Sequence, residues 1–126
     1  MHRVDKQSWM VCGMVGMMTE EINIFRCLDF IRDNSQAMAQ AKANRVYADE
    51  FRKSLKAILM QQSESSTASA KEADAYAHQS YLDHLEGLRQ AVESEEVLRW
   101  RMVAAQAKIE VWRSIGANQR VIDKTI

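Results

Sequence analysis

The sequence predicts an all-α protein: a long antiparallel helical hairpin of coiled-coil type that completes its core by oligomerisation. Three observations carry this expectation. Proline is absent and the 126 residues include only four glycines, too few for the turns of a β-rich or loop-rich fold. Ala, Glu, Gln, Lys, Arg, Met and Leu dominate, and these are the good helix formers. Two long stretches carry apolar residues at helical spacing, and one polar connection separates them. The length fits a single domain. The hydrophobic share is 47% but only 7% is aromatic, and much of the remainder is alanine and methionine. That composition suits a narrow helix seam better than a bulky globular core.

Residues 1–18, MHRVDKQSWMVCGMVGMM, differ from the rest and hold five of the eight methionines. They are expected to be an atypical N-terminal extension, either disordered or lying upstream of a true start at Met17 or Met18. The apolar run from Trp9 to Met18 is too short to span a bilayer, and the segment lacks the pattern of a secretory signal. The helical domain is expected over 19–118. Thr19 can cap its first helix, with Glu20 and Glu21 favouring the positive end of the dipole. Ile22, Phe25, Leu28 and Ile31, with Ile24, recur at helical spacing. Asp33-Asn34-Ser35 interrupts that pattern and predicts a kink, a break or a fresh cap, because these side chains compete for backbone hydrogen bonds. The break would allow the first short helix to fold back as a third. The seam then continues through Ala37, Ala41, Asn44, Ala48, Phe51, Leu55 and Ile58.

Residues 61–69, QQSESSTAS, contain five hydroxyl side chains and no large apolar one, and they predict the turn. The second helix is expected from Ala70 to Ser114 without a breaker. Its seam is Ala77, Tyr81, Leu85 (or His84), Leu88, Val92, Glu95, Leu98, Met102, Ala105, Ile109 and Trp112. Gly116 and Asn118 form a C-terminal stop signal, which leaves 119–126 as a frayed tail. Folding about position 66 places Phe51 near Tyr81, Tyr47 near Leu85, Leu55 near Ala77 and Phe30 near Met102. Two helices alone make a thin core, so a homodimer or larger bundle is expected, with Leu98, Met102, Ile109 and Trp112 on the oligomer seam.

The charge balances, with 17 basic and 17 acidic residues, so the total supplies no attraction to nucleic acid or an anionic membrane. A basic stripe of Lys42, Arg45, Arg52, Lys53 and Lys56 is expected to face Glu72, Asp74, Asp83 and Glu86 across the hairpin, as flanking charges do in coiled coils. A second basic region combines Arg99, Trp100, Arg101, Lys108 and Arg113, followed by Arg120 and Lys124. Aromatic side chains among cations can stack on single-stranded nucleic acid or anchor a protein interface. Trp112 falls on the seam and is expected in the core; Trp100 falls off it and is the better surface candidate. Glu95 is an isolated seam carboxylate that would pair with Gln36 or Gln40, or sit at a partner interface. Asp74 and His78, four apart, could pair.

No constellation of nucleophile, base and orienting group is visible, so the chain is not expected to be an enzyme or to hold a cofactor. His78 and His84 do not share a helix face, no metal-binding spacing occurs, and no glycine-rich phosphate loop is present. Cys12 and Cys27 are too few and too far apart for a disulfide framework, which leaves reduced thiols.

Residues 97–120, VLRWRMVAAQAKIEVWRSIGANQR, together with YADEFRKSLKAILM earlier in the chain, resemble small uncharacterised helical proteins of tailed phages and prophages. The resemblance covers residues 37–120. Its signature, LRW followed by AAQAKIEVWRS, is seam and helix-surface sequence, not a catalytic motif. It implies a setting among early recombination and replication genes and a place in the cytoplasm of a bacterial host. From these features the chain is expected to be a non-catalytic accessory protein that contacts another protein through its helical faces. A direct binder of single-stranded nucleic acid and a structural or assembly component are the alternatives.

Overall fold

The computed structural model describes residues 22–125. Every regular element among them is a helix: α1, Ile24–Gln62; α2, Ala68–Ala77; and α3, Gln79–Thr125. The expected Thr19 cap lies outside the described residues. Asn23 caps α1 instead, its side chain accepting from the Arg26 N–H at 3.1 Å, which satisfies one of the donors a helix start leaves free.

Residues Asp33 to Ser35 do not break the helix, contrary to the expectation, and no third helix folds back from them. The side chains that compete with the backbone are satisfied on it. Asn34 Nδ2 donates to the Phe30 carbonyl at 2.9 Å and Ser35 Oγ to the Arg32 carbonyl at 2.7 Å, so helical geometry continues through the polar triplet. The turn falls within 61–69 as expected and is shorter. Thr67 starts α2 by accepting from the Ala70 N–H at 3.1 Å. Asp74 closes the turn from inside α2, where it accepts hydrogen bonds from Ser63 Oγ at 2.7 Å and Ser65 Oγ at 2.5 Å.

The helix expected over 70–114 is divided at His78. That residue leaves helical geometry, with φ −67° and ψ 139°. Its Nδ1 accepts from the Ser80 N–H at 3.1 Å, and its carbonyl accepts from the Tyr81 and Leu82 N–H groups. His78 therefore ends α2 and caps α3; it does not pair with Asp74. At the other end, Gly116 and Asn118 do not stop α3, which runs on to Thr125. A Cβ at Gly116 would meet nothing within 4 Å. With no packing to turn the chain there, the residue simply remains helical.

Contacts between α1 and α3 join early positions to late ones. Arg45 meets Glu95, Phe51 meets His84, and the region of Cys27 meets Ala105. The two helices therefore lie side by side in opposite directions. Buried and half-buried residues follow alternating steps of three and four: Cys27, Ile31, Asn34, Met38, Ala41, Arg45, Ala48, Arg52, Leu55 and Leu59 on α1, and Tyr81, His84, Leu88, Ala91, Glu95, Leu98, Met102, Ala105 and Ile109 on α3. The phase expected for α1 was partly wrong. Phe25, Leu28 and Ile58 are 74%, 48% and 44% exposed, and Ala37 is exposed. On α3, His84 and Ala91 take the seam and leave Leu85 and Val92 outside.

The buried apolar residues are Cys27, Leu59, Ala75, Tyr81 and Ala105. The best-packed point is beside the turn, where Leu59, Ala75 and Tyr81 cluster with Leu55 and Met60 around them. Tyr81 meets Tyr76 edge-to-face with ring centroids 5.2 Å apart, not Phe51 as expected. Phe51 lies against His84 at 5.4 Å and stacks with Tyr47 at 6.0 Å.

Of the expected cross-helix charge pairs, Lys56–Glu72 forms, at 2.9 Å. Arg52 and Lys53 instead pair along their own helix with Asp49 and Glu50. Lys56 also sits over the Tyr76 ring, 4.7 Å from its centroid. Glu95 is paired by Arg45 rather than by Gln36 or Gln40.

Two predictions follow from the turn and its cap. Hydrogen bonds from Lys56 hold the Glu72 carboxyl below its ordinary range, and those from Ser65 and Ser63 do the same for Asp74. A depressed carboxyl stabilises the fold above its unfolded pKa and loses that contribution as pH falls through the folded value. The urea midpoint is therefore expected to drop as pH is lowered from about 5 to below about 3, and Asp74→Asn should flatten that drop. At the α2–α3 junction, His78→Ala should cost about 1 kcal/mol through loss of the cap, whereas His78→Asp, which restores a side-chain acceptor, should cost less; thermal unfolding measures both.

Candidate interaction surface

The residues singled out in the basic region of α3 do not form one surface. Arg101 and Lys108 are seven residues apart and share a flank of the helix. With Arg26, Cys27, Phe30, Ala104 and Ala105 they line a shallow groove between α1 and α3. This is where Phe30 lies. Arg26, Arg101 and Lys108 have no ion-pair partner among the described residues, so three cations rim a floor of Cys27, Phe30 and the two alanines.

Arg99 and Arg113 project from the other flank and are neutralised locally. Arg99 donates from Nε and from its terminal nitrogen to Glu96, at 2.6 Å for the shortest bond. That bond raises the guanidinium pKa and holds Glu96 below the ordinary carboxylate range. Arg113 pairs with Glu110 at 3.2 Å. Trp100, 60% exposed, lies between the two flanks. The Arg99 guanidinium covers its ring, 4.8 Å from the centroid, as a cation–π contact.

Along the seam, Leu98, Met102 and Ile109 are half-buried. Trp112 is 46% exposed, so the expectation of a core tryptophan is not met within the single chain. Trp112 borders a groove with Ile22, Ile24, Phe25 and Leu28. Beyond it α3 carries Ile115, Val121 and Ile122, each more than half exposed.

A further depression escaped the sequence reading. Gln90, Glu93, Ser94, Val97, Leu98 and Arg101 line it, with Val97 at its centre and 46% exposed. It belongs to a second row of α3 with the same three-and-four spacing as the seam, running through Gln90, Ser94, Val97, Arg101, Ala104, Lys108 and Val111. The signal for it was electrostatic. From Asp83 to Glu96, α3 carries five carboxylates and one arginine; from Arg99 to Lys124 it carries six cations and two carboxylates. The helix is strongly polar end to end although the whole chain is neutral.

His78 and His84 are structural in this arrangement. The His84 Nε2–H donates to the Ala48 carbonyl at 2.6 Å, which sets the tautomer because a carbonyl can only accept. Among the described residues, no group of three or more His, Cys, Asp or Glu is placed to hold a metal ion, and no helix is long and apolar enough to cross a membrane.

The exposure pattern separates surface from seam in a measurable way. Trp100→Ala should change unfolding stability by no more than about 0.5 kcal/mol. Met102→Ala, which empties a half-buried seam position, should cost about 2 kcal/mol. Urea denaturation of the two variants provides the comparison.

No protein-family model matches the chain, and neither a curated protein nor a solved structure is found to match it.

Proposed function

We propose that this chain is a non-catalytic, phage-encoded accessory protein that works by association in the cytoplasm of a bacterial host. Its two long helices form a hairpin of coiled-coil type, and its faces bind a second copy and another protein, through which it modulates host or phage DNA metabolism. One observation carries the reading. Large apolar side chains are mostly outside: Phe25, Tyr47, Trp100 and Ile115 are each 58% exposed or more, while among the described residues no large side chain is fully buried. Broad apolar faces on regular helices, rimmed by polar residues, are the mark of a protein interface. The genetic setting rests on the resemblance of residues 97–120 to phage and prophage proteins.

The second reading, a direct binder of single-stranded nucleic acid, is favoured by Arg26, Arg101 and Lys108 in one groove. Of the wider set, Arg99 and Arg113 already have carboxylate partners, and a phosphate would have to displace them. A purely structural or assembly role would use the same apolar faces.

Salt separates protein from nucleic-acid binding, because each neutralised phosphate releases counterions. The test is a pull-down from host lysate with and without nuclease, beside a titration with a labelled oligonucleotide at two salt concentrations. A nuclease-resistant protein partner and no oligonucleotide binding are expected. Oligonucleotide binding that weakens steeply with salt and is lost in Arg101→Ala would overturn the protein reading in favour of nucleic acid.

A further inference from the structure

The second row of α3 has three properties that belong together. The charge on and beside it is self-complementary about one residue. Glu93 and Arg101 lie four positions to either side of Val97, and Glu86 and Lys108 lie eleven to either side. The two carboxylates share a single arginine: Arg89 contacts Glu86 at 2.6 Å and Glu93 at 3.7 Å. The two cations have no acidic partner among the described residues. Within one chain the acidic side, which flanks the row at Glu86 and Glu93, thus keeps one negative charge in excess, and the basic arm keeps two cations.

The row is also built for close approach. Ser94, Val97 and Ala104 are small or medium and exposed. Gly87 sits inside a regular helix, in its third turn, where it costs about 1 kcal/mol relative to alanine, yet a Cβ there would meet nothing within 4 Å. Nothing among the described residues requires a glycine at that point. A helix brought up from outside has room to approach closely there.

We propose that α3 is the contact element of a two-fold homodimer: two copies of the helix lie antiparallel with the axis at Val97, so that Arg101 of each copy faces Glu93 of the other and Lys108 faces Glu86. A two-fold interface is self-complementary by necessity, with residue i meeting j and j meeting i, and the charged pairs about Val97 satisfy that condition. The same register places Gly87 opposite Ala107 of the second copy and Gln90 opposite Ala104. Val97 meets its own counterpart in the depression between Glu93 and Arg101. The ridge from Asp83 to Val111 extends about 42 Å at the rise of an α-helix. The groove carrying Phe30, Cys27 and Arg26 lies alongside its basic half and widens the contact towards the roughly 1,600 Å² of a standard interface. Nucleic acid fits this row less well, because its other half is acidic.

This inference rests on the reading that the protein acts by association: a wild-type monomer would remove the second copy from that reading as well, whereas a dimer indifferent to the variants would remove only this interface. The test uses the full chain and two exposed substitutions, Glu93→Arg and Arg101→Glu, with circular dichroism confirming that each stays helical. Sedimentation equilibrium should show a wild-type dimer. Each variant alone places like charges across the axis and should dissociate at least about tenfold more readily. Mixed one to one, the two variants restore both opposite-charge contacts and should form a heterodimer. A wild-type chain that stays monomeric, a dimer indifferent to either variant, or a mixture no tighter than its components would overturn the proposal. None of those results bears on a separate protein partner, which the lysate experiment detects independently.

Discussion

The arrangement of the two long helices turns on a carboxylate in the seam. Glu95 is 6% exposed, and Arg45, 50 residues away, reaches it with two hydrogen bonds, the one from its terminal nitrogen measuring 3.3 Å. Such a pair contributes little net stability, since desolvating the charges offsets most of their attraction. Its effect is selective. A slip of α1 past α3 would leave Glu95 buried without a counter-charge, and that costs far more than the pair contributes. Apolar seam residues can exchange neighbours cheaply, so a polar contact of this kind is what specifies register.

Other features extend the same alignment towards the turn. His84 reaches the Ala48 carbonyl, Lys56 reaches Glu72, and Leu59 packs with Ala75 and Tyr81. Away from the turn these restraints thin out. Cys27 and Ala105 are buried, but the end of α3 beyond Trp112 is exposed throughout. Packing is tightest at the turn, whereas exposed large apolar side chains run the length of the described helices, from Phe25 and Ile58 on α1 through Tyr76 on α2 to Ile122 on α3. The seam spends polar residues on alignment, and its narrowness leaves apolar side chains exposed on the flanks.

The helical class and the position of the turn were legible, because proline absence, helix-former composition and the serine-rich stretch are local signals. Glu95 was legible as an anomaly on the seam, but Arg45 was not recognisable as its partner. Long side chains reach across several residues, so register read from backbone spacing misplaces them. The phase of α1 was the main obscurity. Phe25 and Leu28 lie on one flank of the true seam and Ile58 on the other, and the seam itself contains Asn34, Arg45 and Arg52; hydrophobicity alone ranks the flanking positions first. His78 carries no propensity strong enough to announce a helix junction, and its role appears only in its backbone geometry and its bond to Ser80. On the surface, the cations were visible but their partners were not. Glu96 and Glu110 remove Arg99 and Arg113 from the basic region, whereas Arg101 and Lys108 remain available.

If Glu95 sets the register, it and Arg45 must be energetically coupled. A double-mutant cycle on urea unfolding, with Arg45→Ala, Glu95→Ala and the pair together, measures that coupling directly. The account predicts that each single change destabilises the protein and that the double variant is clearly more stable than the sum of the two losses, because removing both charges leaves neither buried alone. Additive losses would contradict it and would mean that the two helices are aligned by packing without this pair.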